Sequence, residues 1–239
     1  MHSDGFLLDG RVRHAQATTG HRTGIEPVLL AASVPARSGE RVLEAGTGSG
    51  AALLCLAWRV PGVIGVGLEL DPNMAALAAR NAAANGFHSL SAEVRDVERF
   101  TTATPFDHAI ANPPWHHPAG TRSTDAEREL ARRADPSLLD RWTAALSRCV
   151  RPRGTVTVVT AAGMLPALLG AFSESRCGSP AVLPLWPKTG TAAKLVLVRA
   201  VKIGRGPCRL LPGLVLHETD GRFTTAAEAV LRDGAALPI

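Results

Sequence analysis

Arg41-Val-Leu-Glu-Ala-Gly-Thr-Gly-Ser-Gly50 is a short apolar run that ends in an acid and passes into three alternating glycines. Ala51 to Trp58, directly behind it, is periodic and helix-forming, so the glycines fall at a strand-to-helix turn. Lacking Cβ atoms, they let the backbone approach a ligand closely and expose N–H groups beside a helix N-terminus. The stretch predicts a cradle for a nucleotide or a related cofactor.

Gly46, Gly48 and Gly50 read GxGxG, not the GxGxxG of a dinucleotide site, and no Lys-Ser/Thr pair follows as in a phosphate-binding loop. Glu44, two residues before the first glycine, is badly placed against a pyrophosphate and well placed against an ammonium group. In this the chain resembles class I methyltransferases that use S-adenosylmethionine (SAM) and release S-adenosylhomocysteine. The resemblance implies a Rossmann-like, three-layer α/β sandwich on a mainly parallel seven-stranded sheet with an antiparallel last strand.

Further elements follow at the spacing such a sheet needs. Val63 to Glu69 is an apolar strand, and Asp71-Pro72 starts a helix with Asp71 as cap and Pro72 at its first position. Asn85-Gly86 ends that helix. Glu69, at a carboxyl edge, is placed to accept hydrogen bonds from both hydroxyls of a ribose. His88 to Val94 is a third strand followed by Asp96, which is either an adenine contact or an exposed turn acid.

Phe106 to Ala111 is a fourth strand and runs straight into Asn112-Pro-Pro-Trp115. Consecutive prolines belong neither to a central strand nor to a helix interior, so they fix a rigid turn at the crevice. Such a turn holds the Asn112 carboxamide and the Pro113 carbonyl as convergent acceptors, with Trp115 offering a flat face. An exocyclic aromatic amine is a poor nucleophile, because its lone pair is delocalised into the ring. Accepting both of its hydrogens favours the pyramidal, attack-ready nitrogen and stabilises the positive charge that develops there. The adjacent His116 and His117 have no further ligand at a recognisable spacing, so a metal site is not expected. His116 to Arg133 reads as a flap over the substrate or as an ordinary charged loop.

Ile25 to Ala32 has helical spacing with Pro27 in its first turn, and His21, Arg22 and Thr23 ahead of it stand either at the cofactor entrance or on the lead-in to a covering helix. Pro136 to Val150 is an amphipathic helix, Gly154 to Thr160 a buried strand, and Gly163 to Phe172 a helix. Ala181–Leu185 and Leu195–Arg199 read as an antiparallel hairpin, and Thr224 to Leu231 as a final short helix. The expected organisation is an N-terminal arm over 1–19, one catalytic domain over 20–200 and an extension over 201–239 packed on that domain.

The whole pattern resembles the bacterial tRNA adenine-N6 methyltransferase family, known for modifying adenine 37 beside the anticodon of a valine tRNA. Gly20-His-Arg-Thr-Gly24, Glu44 to Gly50, Gly67-Leu-Glu-Leu-Asp71 and Asn112-Pro-Pro-Trp115 carry the likeness, which reaches about Arg199. It implies that Glu44, Gly46, Thr47, Gly48 and Gly50 hold the methionine part of SAM and Glu69 its ribose. Asp96 and Val97 flank the adenine, Thr23 and Leu70 complete the cofactor set, and Asn112, Pro113, Pro114 and Trp115 carry the target amine. Glutamine methyltransferases of release factors and guanine-N2 methyltransferases of ribosomal RNA share the Asn-Pro-Pro turn. A non-catalytic RNA-binding protein is the alternative outside enzymes.

Composition agrees with that expectation. The four cysteines are far apart in sequence, without the pairing of a zinc or iron–sulfur centre, and fit a reducing cytosol. There is neither a secretory leader nor an 18-residue apolar run, so a cytoplasmic protein with no membrane partner is expected, and no obligate protein partner is implied. A net charge of +5 permits a nucleic-acid partner, either through the basic residues from Lys188 to Arg209 or as mere surface solvation. The absence of tyrosine argues against a broad base-stacking platform.

Overall fold

The computed structural model describes residues 2–18, 23–114 and 137–239. The arm forms two nested ladders, β1 (His2–Ser3) with β4 (Gln16–Ala17) and β2 (Phe6–Leu7) with β3 (Val12–Arg13). These ladders were not expected from the sequence.

Helix α1 (Glu26–Ser33) precedes β5 (Arg41–Ala45), α2 (Ala51–Arg59), β6 (Ile64–Glu69), α3 (Pro72–Ala84), β7 (Leu90–Val94) and β8 (Phe106–Ala111). Asp71 caps α3 as predicted, accepting from the Asn73 N–H at 2.8 Å. Then come α4 (Leu138–Cys149), β9 (Val150–Ala161), α5 (Leu165–Glu174), β10 (Cys177–Trp186) and β11 (Leu195–Lys202). The chain closes with β12 (Arg209–Leu210), β13 (Leu214–Val215) and α6 (Thr225–Leu231).

The sheet order is β12-β10-β11-β9-β8-β5-β6-β7, with β13 also on β10. Strands β5 to β9 pair in parallel, and β11 runs antiparallel to both of its neighbours. The seven expected strands are therefore present with the reversed one in place, and the extension adds two short strands parallel to β10. The strand following Gly154 begins four residues earlier than expected, at Val150. Arg153 sits there at φ +67° and the pairing with β8 slips, so Pro152-Arg153-Gly154 imitates a turn while remaining in the sheet.

Side chains alternate between two apolar cores, as the pleat of a doubly covered sheet requires. Val42, Ile110 and Val159 pack with Leu29 of α1 and Leu54 of α2. Leu43, Ala109 and Val158 pack with Leu146 of α4 and Phe172 of α5. The extension closes the first core: Ala227, Val230 and Leu231 of α6 are buried in it, and the Leu237 N–H reaches Ala32 O at 2.8 Å. Among the described residues no helix is long and apolar enough to cross a membrane.

Candidate active site

Strand β5 lies between β6 and β8, so the order of connection reverses there and a crevice opens at the carboxyl ends. The ends are level: Ala45 is opposite Leu68 and Ala111, and Glu69 is opposite Val94. Adjacent strands are about 4.8 Å apart, so Asn112 leaves β8 one strand spacing from Gly46. The glycine turn, Glu69, the Asp96 loop and the Asn112 turn thus share one edge.

Glu44 is 4% exposed. Its Oε2 accepts from Thr47 Oγ1 at 2.6 Å, and the Leu53 N–H in the first turn of α2 also reaches it. Burial raises its pKa to about 8; those two hydrogen bonds pull the other way without offsetting it, and the nearby Glu69 charge adds to the rise. Among the described residues no lysine or arginine forms an ion pair with Glu44 or Glu69.

Gly46, Gly48 and Gly50 adopt φ values of +64°, +55° and +87°, a left-handed series that side chains resist. Glu69 secures the turn: Oε2 accepts from the Gly48 N–H at 2.9 Å, and Oε1 from Leu70 and Asp71 at 2.8 and 3.1 Å. Gly67 makes room for it, since a Cβ there would lie within 2.7 Å of Thr47 Oγ1.

The other predicted residues are more varied. Asp96 Oδ1 accepts from the Glu98 N–H at 3.0 Å and Oδ2 stands 3.7 Å from Arg99, so this acid also builds its own turn. Val97 is buried in the second core. Leu70 is 69% exposed. Its neighbour at the edge, Val94, is 54% exposed, a surface apolar residue that the sequence reading missed. Asn112 is half-buried, Pro113 buried and Pro114 exposed. The Thr23 N–H donates to Gln16 Oε1 at 3.2 Å, which ties the α1 lead-in to the arm. Trp115, the 116–133 flap, His21 and Arg22 lie outside the described residues.

Trp142 of α4, on the helix that the sequence marked only as amphipathic, covers Gly46: its Cη2 lies 2.8 Å from where a Cβ would stand. Helical spacing alone cannot distinguish such a residue from its buried neighbours. Cys55, in the helix behind the turn, is buried, and burial pushes its thiol up to about 12, which excludes it as a nucleophile. Among the described residues no group of three His, Cys, Asp or Glu side chains could hold a metal ion.

A buried carboxylate with no cation partner among the described residues, a left-handed glycine turn at a helix start and exposed apolar residues at the next strand ends fit SAM, which carries an ammonium, a ribose and a flat base. The fold and crevice define a class I SAM-dependent methyltransferase. The family model described as "Methyltransferase domain" matches residues 42–137. The tRNA1(Val) (adenine(37)-N6)-methyltransferase of Aeromonas hydrophila is 31% identical over 205 residues, covering 85% of each chain. That of Proteus mirabilis is 29% identical, covering 89% of this chain and 86% of its own. A solved structure described as a predicted O-methyltransferase from Agrobacterium tumefaciens shares the fold with a TM-score of 0.73 at 23% identity, over 90% of this chain and 99% of its own. The chain belongs to the family of SAM-dependent N-methyltransferases that the Aeromonas and Proteus enzymes represent.

Proposed function

We propose that the protein methylates the N6 amine of an adenine in a tRNA, in the cytoplasm. The observation that carries this reading is the position of the Asn112-Pro113-Pro114 turn, level with Gly46 across one strand spacing. The names of the relatives supply the nucleic acid and the base. When bound, SAM supplies an electrophilic methyl on a sulfonium, open to in-line attack.

The chain's own residues do the rest. Glu44 pairs with the ammonium of the methionine part, and Thr47 with Gly46, Gly48 and Gly50 shapes the floor beneath it. Glu69 and Leu70 meet the ribose, Asp96 and Val97 the adenine, and Thr23 stands at the entrance. Asn112 Oδ1 and the Pro113 carbonyl accept the two amine hydrogens, Pro114 stiffens the turn, and Trp115 stacks on the base. No covalent enzyme intermediate is needed. In this reading residues 20–200 are the catalytic domain, 1–19 an arm and 201–239 an extension packed on the domain.

The basic residues at the end of the chain divide between the two ends of the sheet. Leu195 pairs with Ala161 and Leu185 at the crevice end, so Lys188 and Lys194 lie there. Lys202 pairs opposite Cys177, roughly 24 Å away at about 3.4 Å per residue. The tRNA backbone therefore meets Lys188 and Lys194, not Lys202 and Arg205. The test is transfer of labelled methyl from SAM by the purified protein, run on unmodified total tRNA, ribosomal RNA and release factor, with product analysis. N6-methyladenosine in tRNA is expected; label in glutamine or guanine would overturn the assignment.

A further inference from the structure

The arm reaches the glycine turn through His14. His14 is 2% exposed, and its Nε2 lies 2.7 Å from Ser49 Oγ. Ser49 sits between Gly48 and Gly50, two of the three glycines of the turn, whose conformational freedom is wide. Its carbonyl is held as well, accepting from Asn81 Nδ2 of α3 at 2.9 Å. Both polar ends of Ser49 are thus fixed from outside the turn.

Asn81 also grips the arm. Its Oδ1 accepts from the Ala15 N–H at 3.0 Å and its Nδ2 donates to Ala15 O at 2.8 Å. Asn85, one helical turn further on, repeats the pattern with Arg13 N and O, both at 2.8 Å. Two asparagines at i and i+4 on one helix face therefore act as a substitute strand edge for residues 13–15. The remaining link is internal to the arm, where the His14 N–H donates to Gly5 O at 2.9 Å.

We infer that the N-terminal arm is a clamp on the cofactor turn, and that His14 is a positioning residue that holds Ser49, and with it Gly48 to Gly50, in the shape that receives SAM. A free turn with three glycines loses conformational freedom when it closes on a ligand, whereas a clamped turn has already lost it. Burial lowers the His14 pKa to about 4, so the ring stays neutral and the clamp holds at any physiological pH. The inference rests on the glycine turn being the SAM cradle and is independent of the RNA assignment.

The test is calorimetric binding of SAM and S-adenosylhomocysteine to the full chain and to H14L, H14Q, S49A, H14L/S49A and E44Q. H14L should raise Kd roughly tenfold, the loss expected for one buried hydrogen bond, while turnover at saturating SAM stays within about twofold. H14Q, whose amide reaches the same hydroxyl, should recover most of the affinity. The double variant should be no worse than H14L. A Kd unchanged in H14L or S49A, or effects that multiply in the double variant, would overturn the clamp; S49A decides the matter if H14L does not fold. An unchanged Kd in E44Q as well would place the failure in the cradle itself. In the wild-type chain SAM should slow amide exchange at His14 and Ala15, and unaltered exchange there would likewise refute the coupling.

Discussion

The two ends of the parallel strands treat their acids in opposite ways. At the amino ends Asp107 accepts from the Arg41 N–H at 2.8 Å and from Arg151 Nε at 2.6 Å, while Glu40 reaches His108 Nε2 at 3.1 Å. At the carboxyl ends Glu44 is deeply buried and Glu69 half-buried, held by hydroxyl and backbone donors and, among the described residues, by no cation. One end is satisfied by the chain alone. The other leaves two acids with no cation partner among the described residues, one of them so buried that it keeps its proton up to about pH 8, an arrangement that stability by itself would not favour.

The largest effect expected from breaking this division is at the turn beside the uncompensated end. Asn112→Ala should lower turnover by about 10²–10³-fold, the range for removing one preorganised group that stabilises developing charge. SAM affinity should stay within about twofold in calorimetry, because in the proposed reading Asn112 serves the acceptor and not the donor. Retained turnover would remove the turn from the chemistry.

Glu44→Gln sharpens the contrast from the other side. Losing the charge should weaken SAM binding by roughly 10- to 100-fold, as for a charge-assisted bond. The sign of the pH effect follows from the raised pKa of about 8. The ligand-free folded state holds this proton longer than the unfolded chain, so Glu44's contribution is full below its ordinary carboxylate range and is lost as pH rises toward 8. E44Q should therefore be the more stable protein at pH 8.5 in thermal melts, although it is the poorer binder. In the wild type, SAM binding should release a proton below pH 8, with affinity falling by up to about tenfold per unit of further acidification. A flat affinity between pH 6 and 8 would mean that Glu44 does not face the ammonium.

The charged ends differ for RNA as well. Replacing Lys188 and Lys194 by alanine should weaken tRNA binding several-fold and flatten its salt dependence by up to about two in slope. The same change at Lys202 and Arg205 should leave both untouched. Equal effects would mean that the RNA contacts both ends of the sheet.

How much of this was legible in the sequence depends on how local each signal is. Arg41–Ala45 and Phe106–Ala111 emerged with the bounds that the sequence implied, because each is a short, mainly apolar stretch that ends against a turn marked by glycines or prolines. The placing of Glu44, the glycine turn and Asn112 at one edge of the sheet was legible because strand and turn signals lie within a few residues of each other. His14 and Trp142 were not, since each reaches the turn only through tertiary packing, across 35 and 96 residues of sequence to Ser49 and Gly46 respectively. The ladders of the arm are two residues long and lean on side chains of a distant helix, so no periodicity announces them. Asn81 and Asn85 were the available clue: two amides on one face of an alanine-rich helix.

The smallest effect belongs to the compensated end, and it completes the comparison. Burial alone would raise the Asp107 carboxyl, but the Arg41 N–H and the Arg151 guanidinium outweigh it and hold the pKa below the ordinary value. Arg151 is 44% exposed, so the pair is screened and its loss is modest. Asp107→Ala should remove about 1 kcal/mol near neutral pH, mainly by stranding the Arg41 N–H, and should lower Tm by roughly 2–4 °C for a chain of this size. Because the folded pKa is depressed, the stabilisation is present above the ordinary aspartate value and is lost as pH falls through the folded one. The stability gap between wild type and variant should therefore narrow in melts as pH falls well below the ordinary aspartate range. SAM affinity should not move, since no strand end at the crevice depends on this pair. A change of more than about twofold would show that the two ends are mechanically coupled through β5 and β8, and the division of labour between them would fail.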